Sequence, residues 1–125
     1  MMTRIDALEF AAGWIEAWNR RDVDWVLATF EDNVAFTSPT ALAVVGVDTV
    51  RGMQALREYW DAALAPVSSL RFVMDRAIWD PETRELAIVY ISEVNGETKR
   101  VSENLRFGQT GKVEAAEVFH GVPVG

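Results

Sequence analysis

The chain has 125 residues, half of them hydrophobic, which is enough for one domain with its own core. Its formal charge of −7, with lysine only at positions 99 and 112, argues against a nucleic-acid partner, whose phosphates an acidic surface repels. No cysteine is present for disulfide or thiol chemistry, a single histidine excludes a multi-histidine metal site, and no Gly-rich phosphate loop occurs, so no metal or other cofactor is expected.

No apolar run approaches the length that crosses a membrane, and Met1-Met2-Thr3-Arg4 leads into an amphipathic pattern, not a signal peptide. The expectation is a cytoplasmic protein without membrane association. Thr3 and Asp6 form a capping box for a first helix over 4–20. There Ile5, Leu8, Ala12, Ile15 and Trp18 recur at helical spacing, and Phe10 and Trp14 widen the apolar side. Asp22 can cap a short second helix over 23–30, with Val26, Leu27 and Phe30 facing in. Residues 34–36 read as a short strand, closed by Ser38-Pro39. The stretch 40–48 reads as a loop, yet Leu42, Val44, Val45 and Val47 are too apolar for a solvated connection. It should cover a pocket mouth or a neighbouring subunit. A third helix runs over 52–64 and Pro66 ends it. Residues 70–79 form a strand whose alternation is disturbed, as at a bulge. Asp80-Pro81-Glu82-Thr83 is a turn.

Three strands follow, over 85–94, 98–107 and 112–120. Asn95-Gly96 supplies the two positive φ angles of a type I′ hairpin between the first two, and Gly108-Gln109-Thr110-Gly111 joins the last two. This order predicts one α+β domain over 1–125, with helices on one face of a mostly antiparallel sheet. In the middle strand Val101, Leu105 and Phe107 share a face, and period-2 alternation puts Glu103 there with them. A carboxylate among apolar neighbours is costly unless it is paired, protonated or facing a cavity.

The whole pattern resembles the SnoaL-like group of the nuclear transport factor 2-like superfamily. Three stretches carry the resemblance: WIEAWNRRDVDWVLATFEDNVAF, VRGMQALREYWDAAL and NLRFGQTGKVEAAEVFH. It implies a cone of three helices against a curved sheet, with a pocket on the concave face. Members include ketosteroid isomerase, limonene epoxide hydrolase, polyketide cyclases, dehydratases and binding modules without catalysis, so the fold does little to fix the function. Matched without gaps to ketosteroid isomerase, the catalytic tyrosine falls at Trp14, the general-base aspartate at Ser38, and the oxyanion-hole aspartic acid at Glu103. Serine without a base partner abstracts protons poorly, so steroid isomerisation is not expected. The Arg and Asp constellation of limonene epoxide hydrolase is not visible. SnoaL-type cyclases use a carboxylate or histidine as acid or base, and this chain offers both.

Pairing Val94 with Glu97 sets Ile88 opposite Glu103 and Tyr90 opposite Val101. Pairing Phe107 with Lys112 sets Ala116 opposite Glu103 and leaves His120 roughly 13 Å further along by strand rise. The candidate catalytic residues are therefore Glu103, His120 and Tyr90. Trp14, Trp18, Phe36, Ser38, Trp60, Ile88, Val101, Leu105, Ala116 and Val118 are candidate ligand contacts for a small, uncharged hydrophobic molecule. Each has a plainer reading. Glu103 can pair with Lys99 or hydrogen-bond Tyr90, His120 can be solvated at the sheet end, and the tryptophans can be core. The expected activity is cofactor-independent isomerisation, cyclisation, hydration or dehydration. The alternatives are a non-catalytic ligand-binding module and a dimeric interaction scaffold. The other sheet face, with Val89, Ile91, Val113, Ala115 and Phe119 beside Arg100, Ser102, Asn104 and Arg106, is expected to form a homodimer.

Overall fold

Helix and strand signals translate into ten elements in a computed structural model that describes residues 2–124. They are α1 (Arg4–Asn19), α2 (Val23–Ala28), β1 (Phe30–Thr37), α3 (Pro39–Val45), β2 (Thr49–Arg51), α4 (Met53–Leu64), β3 (Leu70–Asp80), β4 (Glu85–Val94), β5 (Glu97–Phe107) and β6 (Val113–Pro123). The strands form one sheet in the order β2-β1-β6-β5-β4-β3. Only β1 and β6 run parallel. The helices cover one face, which makes the α+β cone expected from the sequence. Among the described residues, no helix is long and apolar enough to cross a membrane.

Local chemistry explains most boundaries. The Thr3–Asp6 capping box opens α1, and the Asp22 carboxylate accepts from the Trp25 amide to open α2. α1 ends at Asn19, whose side-chain amide bonds both backbone groups of Phe72, at 2.7 and 2.9 Å. It thus occupies part of the open edge of β3. The Asn95-Gly96 turn has φ of 52° and 84°, as a type I′ hairpin requires. The bulge expected in β3 falls between Met74 and Arg76.

The structure corrects the reading elsewhere. The second helix stops at Ala28, because Phe30 already pairs with Val113 as the first residue of a longer β1. The stretch 40–48 is not a loop. Ser38 caps a helix there, Pro39 fills its first turn, and Gly46 ends it at φ 81°. The described residues therefore form four helices, not three. α3 still presents apolar residues outward: Leu42, Val44 and Val45 are exposed, as is Val47 just beyond it.

The third correction concerns β6. The β4–β5 register is the one expected, with Ile88 opposite Glu103 and Tyr90 opposite Val101. In β6 two irregularities intervene. Phe107 pairs with Val113 and Arg106 with Ala115, so Glu114 is an extra residue. Val113 thereby turns into the core, fully buried, and leaves the outer face on which it was expected. Val118, not Ala116, lies opposite Glu103, and His120 lies opposite Val101. His120 is thus two residues from the partner of Glu103, roughly 7 Å along the strand, not 13 Å. On the outer face Val73, Ile78 and Phe119 stand exposed. Arg100 is held there by Asp75 at 2.6 Å and Arg106 by Glu114 at 3.1 Å.

Candidate functional site

Strand alternation sets Lys99, Val101 and Glu103 in one row on the helix-facing side of β5. α1 contributes Trp14 and Trp18 over that row, and α4 contributes Tyr59 and Trp60. They enclose a cavity of about 150 Å³. The rings interlock: Trp18 meets Trp60 edge-on at 4.9 Å, and Phe72 lies 4.6 Å from Tyr90. Such aromatic walls hold their shape, since each ring is fixed by the next.

Glu103 faces this cavity and is only 5 % exposed. Its Oε2 has no hydrogen-bond partner. Burial pushes its carboxyl up from 4.5 to about 8, so it carries its proton at neutral pH. Lys99 is not its ion-pair partner, because the ammonium lies 3.7 Å from Glu97 and 3.5 Å from His120 Nδ1. The salt-bridge alternative for Glu103 is therefore not realised.

Two tyrosines share the cavity. Burial pushes the Tyr59 phenol up to about 12; Glu103 adds to this, and the Ser38 and Thr40 hydroxyls oppose it. Burial, then Glu103 and Tyr59, raises the Tyr90 phenol well above its ordinary range. Both stay protonated, so Glu103, Tyr59 and Tyr90 each present a neutral O–H group. His120 is half-buried, and burial followed by the Lys99 charge lowers its pKa, with Glu97 opposing. Accepting from Lys99 at Nδ1 leaves the neutral ring's proton on Nε2. This set can donate to a developing oxyanion or shuttle a proton in a site shielded from water.

Glu103, His120 and Tyr90 line one cavity, with Trp14, Trp18, Phe36, Ser38, Trp60, Val101 and Val118 in the same lining. Ile88, Leu105 and Ala116 do not line the cavity. They share the sheet face, but Ile88 and Leu105 are completely enclosed in the core. The β6 shift pairs Ala116 with Leu105, one step away from Glu103. Ser38 is also structural, since its Oγ accepts from the Thr40 amide at 3.2 Å and caps α3. Tyr59, Thr40, Phe72 and Ser92 also line the cavity and were not singled out from the sequence. Tyr59 had a signal, because it lies three residues after Leu56 on the buried stripe of α4.

Helices packed on one face of a curved six-stranded sheet, with an apolar cavity between the two layers, define the fold class. Residues 11–120 match the SnoaL-like domain, and the chain belongs to that family. A SnoaL-like protein of unknown function from Burkholderia thailandensis is 26 % identical, with a TM-score of 0.85 over 96 % of this chain and 98 % of that one. The epoxide hydrolase/cyclase-like enzyme SalBIII, of pyran ring formation in the polyether salinomycin, is similar in fold (19 % identity, TM-score 0.75, 98 % and 95 % covered). So is a computationally designed 17-OHP binder (16 % identity, TM-score 0.71, 93 % and 92 % covered). A sequence comparison with curated proteins gives no match.

Proposed function

We propose that this domain is an acid–base enzyme that isomerises, cyclises, hydrates or dehydrates a small hydrophobic molecule without a cofactor. The observation that carries the reading is Glu103, a buried carboxyl facing an aromatic cavity with its Oε2 unpartnered among the described residues. Nothing in the packing needs a carboxyl there, and an apolar residue would cost less. Protonated, Glu103 donates to an oxygen that gains charge in the transition state. Tyr90 and Tyr59 line the same cavity and add two more donors to that charge. His120, a neutral ring with its proton on Nε2, is a further hydrogen-bond donor to the ligand. The fold likeness to SalBIII fits this class of chemistry.

The second reading is a binding module without turnover. Ser38 favours it, because it stands where ketosteroid isomerase has its base and is engaged in capping α3. The likeness to a designed 17-OHP binder fits it equally. A thermal-shift screen of steroids, terpenoids, aromatic polyketides and fatty acids tests both. A ligand at one hundred times its Kd adds about 2.7 kcal/mol of stability. Shifts that survive Trp14→Ala and Tyr90→Ala place the ligand outside the cavity and refute both readings. Ligands that bind but are never converted, with Glu103→Gln binding them equally well, favour the module.

A further inference from the structure

A second hollow of about 390 Å³ adjoins the aromatic chamber. The two share walls at Thr40, Ala63, Leu64, Leu70 and Val94, and the outer hollow adds Glu97 and Lys99. Its shared walls are apolar except for Thr40. Lys99 stands in the same strand row as Glu103 and four residues away, so roughly 13 Å by strand rise. His120, opposite Val101, lies midway between them. The strand row Glu103, Val101, Lys99 therefore leads from a carboxylic acid in the inner chamber to an ammonium in the adjoining hollow.

Lys99 is not a freely solvated lysine. Its side chain is 29 % exposed, which means that most of it lies against the protein. Its ammonium carries three donors, yet its partners are distant. Glu97 is 3.7 Å away and itself 71 % exposed, and His120 Nδ1 is a neutral acceptor at 3.5 Å. Tight charge-assisted contacts run at about 2.7–2.9 Å. Arg57 and Arg100 are held at 2.6 Å by Asp24 and Asp75. One of only two lysines in a chain of charge −7 thus sits at the mouth of the cavity with its charge incompletely matched.

We propose that the cavity takes a hydrophobic organic acid, with its carboxylate held by Lys99 beside His120 and its apolar body extending toward Glu103. This rests on the cavity being the ligand site, and it revises the uncharged ligand expected from the sequence. One ammonium next to a neutral imidazole matches a single negative charge. A phosphate dianion usually draws more cations and bidentate arginine. The exposed Glu97 carboxylate is the group displaced, and losing a contact of that kind costs little.

The probes are 5-phenylvalerate and its primary amide, which share shape and differ in charge. Titration calorimetry of wild type should give about tenfold tighter binding of the acid. Lys99→Met keeps the aliphatic length and should abolish the preference while leaving the amide affinity within twofold. The single imidazole gives an unobscured proton NMR signal, and the acid should shift it more than the amide does. Equal binding of acid and amide by wild type overturns the proposal and leaves the cavity reading standing. An acid preference that survives Lys99→Met overturns it as well. If neither probe binds, the cavity reading falls and this proposal falls with it.

Discussion

Glu103→Gln keeps the size of the side chain and removes its proton equilibrium, so it isolates the energetic consequence of burying that carboxyl. In the folded chain the carboxyl titrates near 8, against an ordinary 4.5. The folded state binds the proton more tightly, so its stabilising effect is fully present below the unfolded value and is lost as pH rises through the folded one. Across that window wild-type stability falls by about 1.4 kcal/mol per pH unit on account of this one group. From pH 4.5 to pH 7 the loss is about 3 kcal/mol, or about 10 °C in Tm for a domain of this size. The variant lacks this loss. Urea or thermal unfolding of both proteins at half-unit steps of pH gives the difference curve, in which groups common to both cancel. The variant should gain on wild type by that slope as pH rises from 4.5 to 8. A flat difference means that the carboxyl is solvated. A variant that loses ground toward neutrality means that Glu103 is ionised and paired, and the acid role fails.

The outer sheet face, with Val73, Ile78 and Phe119 exposed, is expected to pair two copies of the chain. Sedimentation should show a dimer that Phe119→Asp weakens, and a monomeric wild type at every accessible concentration ends that idea. Asn95 Oδ1 accepts from the Ser68 amide and hydroxyl and from the Ser69 amide, at 2.8, 2.9 and 3.2 Å, while its backbone holds φ at 52°. Asn95→Ala should cost about 3 kcal/mol in urea unfolding, and Asn95→Gly less, because glycine keeps the turn. A loss under about 1 kcal/mol for alanine would show that the turn is held otherwise. Ser38→Ala removes the cap of α3 and should cost about 1 kcal/mol, and a neutral result would mean that Pro39 alone sets the start of that helix.

Glu103 was legible because alternation along a single strand is enough to put it on the apolar face. Its partner Ile88 was legible too, since a two-residue turn leaves one register for β4 against β5. β6 offered no such anchor. Its connection is longer, and past the extra residue Glu114 the inward Val113 pairs with Phe30 of the parallel neighbour β1. That is a tertiary condition that no local pattern encodes, and it decides how far His120 lies from Glu103. The stretch 40–48 failed for a different reason. Its apolar content hid a helix that Ser38, Pro39 and Gly46 had signalled through their capping chemistry. Tyr59 was missed because a helix stripe marks which residues are buried and not what they face. The phenol shares a cavity with Glu103 only once α4 is laid across the sheet. The acid at the centre of the site was thus encoded in one strand, while the groups that give it a chemical role depend on packing between elements far apart in the chain.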